Sequence, residues 1–129
     1  MKRAKPSLPK PTQRELEILS VLWSRGPSPV RAVQEAIGED RGYTTILKLL
    51  QIMTDKGLVR RDERQRTHVY QAALDRDETR RQLVDDLLER AFGGSASGLV
   101  MQALAGKRAK RADLDAIRKL LDRIERGGS

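Results

Sequence analysis

The spacing of apolar residues changes once in the first half of this chain, and that change sharply limits the folds open to it. From Thr12 to Met53 they recur at three- and four-residue intervals in three separate stretches, and from Leu58 they give way to two short runs of strand type. Thr12 and Glu15 make a capping box that opens helix one, with Leu16, Leu19, Leu22 and Trp23 as its apolar face and Gly26-Pro27 as its end. Ser28 as N-cap and Pro29 at the first helical position predict a short second helix carrying Val30, Val33, Ala36 and Ile37 up to Gly38. After a polar turn, Glu39 to Gly42, a third helix starts at Tyr43, with Ile46, Leu49, Leu50 and Met53 as a buried stripe and Lys56-Gly57 as its close. Leu58 to Arg61 and Thr67 to Tyr70 then read as two strands joined by a charged tip, Asp62 to Arg66.

From Asp75 onward the pattern is helical again. Leu83, Val84, Leu87, Leu88, Ala91 and Phe92 form one face, broken by Gly93-Gly94. A short helix beginning at Ser95 or Ser97 carries Leu99, Val100 and Leu104 to Gly106, and a basic link, Lys107 to Arg111, follows it. The last helix places Leu114, Ile117, Leu121 and Ile124 at the 3-4-3 spacing of an a/d seam before Gly127-Gly128.

The expected architecture is therefore mainly α with a small β-hairpin wing: an N-terminal winged helix-turn-helix followed by a helical dimerisation domain. Its parts are a flexible basic tail over 1–11, a DNA-binding domain over 12–74 and a dimerisation domain over 75–129. The low aromatic content, 3% of residues, agrees with helix-on-helix packing built from Leu, Ile, Val and Ala. A segment of 55 residues buries too little apolar surface alone, which is why the second half is expected to pair with a second copy through Leu83, Val84, Leu87, Leu99, Leu114, Ile117, Leu121 and Ile124.

Charge separates the two halves. Residues 1–74 hold 14 Lys and Arg against 8 Asp and Glu, whereas 75–129 hold 12 against 10, so the net charge of +8 sits mostly in the first half. A basic domain beside a balanced one suits duplex DNA as the partner, because phosphate neutralisation supplies most of the sequence-independent affinity. Once the core stripe of helix three is set aside, its outer side carries Thr44, Thr45, Lys48 and Gln51, with Leu47 near them for a thymine methyl. Thr45 and Lys48 are the residues expected nearest the bases. The wing offers Arg60, Arg61, Arg64 and Arg66 for backbone contact, Arg64 and Arg66 being preferred as tip residues, and Lys2, Arg3, Lys5 and Lys10 are tail cations. Tyr70 is expected to anchor the hairpin on the helices, and lone His68 to be a structural or surface residue.

Catalysis finds no footing: the chain has no Cys, one His, no Gly-rich phosphate loop and no carboxylates paired in a cleft, and no metal or cofactor is expected. No stretch nears the ~18 apolar residues of a membrane span, so the expected location is the cytoplasm without membrane insertion.

The run from Thr12 to Tyr70, above all TQRELEILSVLW, YTTILKLLQIMTDKGLVRR and THVY, together with the downstream FGGSASGLVMQAL, resembles the penicillinase-repressor family, the BlaI/MecI/CopY regulators. The resemblance implies a cytoplasmic repressor that binds a palindromic double-stranded operator as a homodimer, with helix three and the wing as the DNA-binding parts. In antibiotic-responsive members a membrane sensor protease triggers cleavage within the dimerisation domain. The matching region here is Gly98 to Ala105, where Gln102-Ala103 stands in place of an Asn-Phe pair. Copper-responsive members use a C-terminal cysteine motif, which this chain lacks. Two alternatives stay open from the residues alone: a ligand-sensing winged-helix regulator, and a helical adaptor whose basic surface meets an acidic protein.

Overall fold

In the computed structural model of the chain the described residues are 10–38, 40–64, 66–106 and 109–127. The tail residues Lys2, Arg3 and Lys5, the turn residue Glu39 and the link residues Lys107 and Arg108 lie outside them. The chain divides into two compact units, 1–81 and 82–129, and the fourth helix runs through the division.

The first unit contains α1 (Gln13–Arg25), β1 (Ser28–Pro29), α2 (Val30–Ile37), α3 (Tyr43–Lys56), β2 (Val59–Asp62), β3 (Val69–Ala72) and the opening of α4 (Arg76–Phe92). The three helices enclose one core: Ile18, Leu19 and Leu22 from α1, Val30 and Val33 from α2, and Ile46, Leu50 and Met53 from α3, joined by Leu58, Val59 and Tyr70 from the wing. This is the expected winged helix, mainly α with a small antiparallel sheet.

Three details differ from the sequence expectation, each for a physical reason. Ser28 and Pro29 do not open α2 as cap and first residue. They form β1, a third strand pairing antiparallel with β3 (Ser28 opposite Tyr70, Pro29 opposite Val69), so the sheet order is β1-β3-β2 and α2 starts at Val30. The Ser28 hydroxyl donates to the Gly26 carbonyl (2.9 Å), and Pro29, which has no N–H to give a ladder, sits on an edge strand where none is needed. Secondly, β3 is Val69–Ala72 instead of Thr67–Tyr70, leaving Thr67 and exposed His68 in the turn. The register sets this: Val59, Arg60, Arg61 and Asp62 face Ala72, Gln71, Tyr70 and Val69. Thirdly, the core face of α1 is Glu15, Ile18, Leu19 and Leu22, with Leu16 only half-buried, and Leu49 of α3 is likewise half-buried. A carboxylate at the head of the α1 stripe hides its true phase from an apolar count.

That carboxylate earns its burial through hydrogen bonds. Glu15 is 2% exposed and accepts the Thr12 N–H (2.9 Å), completing the capping box, while the Lys56 ammonium at the end of α3 donates to both its oxygens (2.8 and 2.9 Å). Burial pushes the Glu15 pKa up, but the hydrogen bonds from Lys56 and Thr12 outweigh it and leave the group below its ordinary value of 4.5. Its stabilising effect is therefore complete above that value and is lost as the pH falls through the lower, folded one. Glu15→Ala should cost about 1–3 kcal/mol near neutral pH and flatten the acid limb of a plot of thermal stability against pH.

The second unit holds the rest of α4, α5 (Ala96–Leu104) and α6 (Arg111–Glu125). Ser95 is the N-cap of α5, its hydroxyl accepting the Gly98 N–H (3.0 Å). Among the described residues of this unit none is buried. Among the described residues no helix is long and apolar enough to cross a membrane.

Candidate nucleic-acid interface

Helix α3 is held so that only one side can meet a ligand. Ile46, Leu50 and Met53 are fully buried and set its rotation, which puts Lys48, two residues along the chain from Ile46 and Leu50, on the opposite side. At its end Gly57 takes the left-handed conformation (φ 82°, ψ 13°); its N–H reaches the Met53 and Thr54 carbonyls, and the Leu58 N–H bonds Met53 O at 2.9 Å. A side chain at Gly57 would be strained there, so the residue type fixes where the helix stops and the wing begins. The Glu15–Lys56 pair ties this same end to the start of α1.

The four helix residues singled out in the sequence, Thr44, Thr45, Lys48 and Gln51, are all exposed. Exposed Ile52 also lies one turn beyond Lys48; an apolar residue on the polar side is invisible to a reading that assigns every apolar position to the core. Gly42 caps the start of α3 with no side-chain hydrogen bond, leaving its first-turn amides open.

The wing arginines divide into two groups. Arg60, Arg61, Arg64 and Arg66 are all exposed. Arg64, however, grips Asp62 with Nε and Nη2 (3.0 and 2.8 Å) while its backbone N–H donates to the same carboxylate (3.0 Å), and the first of these contacts does most to hold the Asp62 pKa down at about 2. Arg61 pairs with Glu63 at 2.6 Å, and hydrogen bonds to Tyr70 and Glu63 raise its pKa. Arg66 makes no ion pair among the described residues. The two tip arginines are thus not equivalent: Arg64 braces the turn, and Arg66 lies in a cleft of about 590 Å³ between the wing, α2 and α3, which Leu47 and Gln51 also line.

The sequence model of the family described as penicillinase repressor matches residues 11–123. The chain belongs to the penicillinase repressor family. Its curated relatives include the proteins named Transcriptional regulator BlaI of Mycobacterium tuberculosis strains CDC 1551 / Oshkosh and ATCC 25618 / H37Rv, each 33% identical over 117 residues, covering 88% of this chain and 83% of the relative. A solved structure, the probable transcriptional regulator from Pseudomonas aeruginosa, aligns over 88% of this chain and 77% of that one at 20% identity with a TM-score of 0.43. Membership makes the chain a transcriptional regulator of the repressor type with a DNA-binding winged-helix fold, and not an enzyme.

The residues named for pairing are distributed over all three helices of the second half. Leu83, Leu99, Leu114 and Ile117 are half-buried, whereas Val84, Leu87, Leu121 and Ile124 are about half exposed. Val100, Met101 and Leu120 are further exposed apolar residues there, Met101 at 70%, that the a/d spacing did not select. Gln102 and Ala103 are both exposed on α5.

Proposed function

We propose that the chain is a dimeric, sequence-specific transcriptional repressor of the cytoplasm that binds a palindromic operator, with 12–74 as the DNA-binding domain and 75–129 as the dimerisation domain. The observation that carries the reading is the exposed Thr45–Lys48 side of a helix whose opposite side is locked into the core, in a chain of the penicillinase repressor family. Thr45 and Lys48 read base edges, Thr44 and Gln51 meet the backbone or neighbouring bases, and Arg60 and Arg66 with the opened Arg64 meet phosphates. Pairing through Leu83, Val84, Leu87, Leu99, Leu114, Ile117, Leu121 and Ile124 is supported by the lack of any buried residue among those described in 82–127.

Relief of repression acts on pairing, and proteolysis by a membrane sensor metalloprotease is one route to it. Gln102-Ala103 lies in helix α5, which must unwind locally before a protease can take it as an extended segment. The test is selection of bound fragments from random duplexes with the full chain, followed by sedimentation of the complex. A two-fold symmetric site holding two chains is expected; enrichment of no sequence at moderate salt would sink the reading.

A further inference from the structure

The cleft between the wing and the helices collects cations and hydrogen-bond donors from α2, α3 and the wing. Its polar lining is Arg31, Tyr43, Gln51, Arg61, Arg66, Thr67, His68 and Tyr70, of which Arg61 is already paired with Glu63, and among the described residues no carboxylate lines it. A second hollow on the wing, which shares Arg61 with the cleft, is different: there Arg60, Arg61 and Arg64 lie with Asp62 and Glu63. Within the cleft the Arg31 guanidinium lies over the Tyr43 ring, 5.6 Å from its centroid, and neither Arg31 nor Arg66 makes an ion pair among the described residues. A cation held against an aromatic face loses little rotamer freedom on binding and keeps all its N–H donors for an anion.

We propose that this cleft is a seat for the duplex backbone in which Arg31, on α2, and Arg66, on the wing, hold phosphates of a strand running beside α3, and that Tyr43 is a positioning residue that aims Arg31. The inference rests on the DNA-binding reading above and assigns to it two residues, Arg31 and Tyr43, that neither the helix-three pattern nor the tip arginines pointed to. Three features converge on a phosphate ligand. The hollow is concave and free of carboxylates among the described residues, its two guanidinium groups without an ion pair there come from α2 and the wing, and Gln51 of α3 borders it, so a strand of DNA seated there lies alongside the helix whose outer side carries Lys48. Backbone contacts of this kind set register and orientation without reading sequence.

The test is a salt titration of the full chain on two fluorescent duplexes, the selected operator and a scrambled one. Arg31→Ala is expected to weaken binding to both by about tenfold at 0.1 M salt and to lower the slope of log affinity against log salt by about one per chain bound. Arg31→Lys should restore the slope but only part of the affinity, because the ammonium keeps the charge and lacks the planar stack. Tyr43→Leu should lower affinity for both duplexes with the slope nearly unchanged, and should add nothing in the Arg31→Ala background. Unchanged affinity and slope for Arg31→Ala on both duplexes, with the parent chain still preferring the operator, would overturn the backbone seat alone. A loss confined to the operator would also overturn it, by making Arg31 a reader of bases. A parent chain that binds both duplexes equally overturns the DNA-reading function itself.

Discussion

Leu121→Asp is expected to turn the dimer into a monomer in sedimentation at micromolar concentration, with operator affinity lower by about 100-fold or more, since the second half-site ceases to be an intramolecular neighbour of the first. Leu121 is 52% exposed in the single chain and stands on α6 beside Ile117, Leu120 and Ile124, which share its apolar side. A carboxylate there is well solvated in the monomer and desolvated in the pair, so the substitution acts on association and leaves the first unit folded. Circular dichroism should accordingly retain the helices of the first unit. A dimer that survives the change would place the seam elsewhere, with the α4 residues Val84 and Leu87 or the α5 residues Val100 and Met101 as the next faces to alter.

Lys48→Ala should remove about 1–3 kcal/mol per half-site, hence about 2–6 kcal/mol for a symmetric complex, and should do so on the operator far more than on scrambled duplex. Lys48 stands opposite the buried stripe of α3, where a side chain can enter a groove without disturbing the core. Anisotropy titrations with every single-base variant of a half-site would show the affected positions as one or two base pairs that cease to matter. An equal loss on all sequences would make Lys48 a phosphate contact and move base reading to Thr45.

Most of this architecture was legible in the sequence because its signals are local. The Thr12–Glu15 box, the Gly57 stop and the Ile46–Leu50–Met53 stripe each depend on residues within one or two turns of one another, and each appears where expected. What escaped depends on contacts between distant segments. Ser28-Pro29 carries the local chemistry of a helix start, and only its pairing with Val69 and Tyr70, some forty residues on, makes it a strand. Glu15 could be recognised as a cap but not as the buried partner of Lys56, because a carboxylate at a core position is tolerable only once a cation from elsewhere in the chain reaches it. On the interface, the positions of Thr44, Thr45, Lys48 and Gln51 followed from helical period alone, whereas the different duties of Arg64 and Arg66 came from turn geometry that places Asp62 within reach of only one of them. Arg31 and Tyr43, twelve residues apart on two helices, carried no sequence signal as a pair.

The want of a buried centre among the described residues of 82–127 has a bearing on dosage. On the pairing proposed above, a segment that when alone leaves Val84, Leu87, Val100, Met101, Leu120, Leu121 and Ile124 exposed takes much of its folding free energy from meeting a second copy, so its melting temperature should climb with protein concentration while that of the winged helix stays put. At low abundance the concentration of the proposed DNA-binding dimer scales with the square of the number of chains, so a fall in copy number lowers operator occupancy more than in proportion.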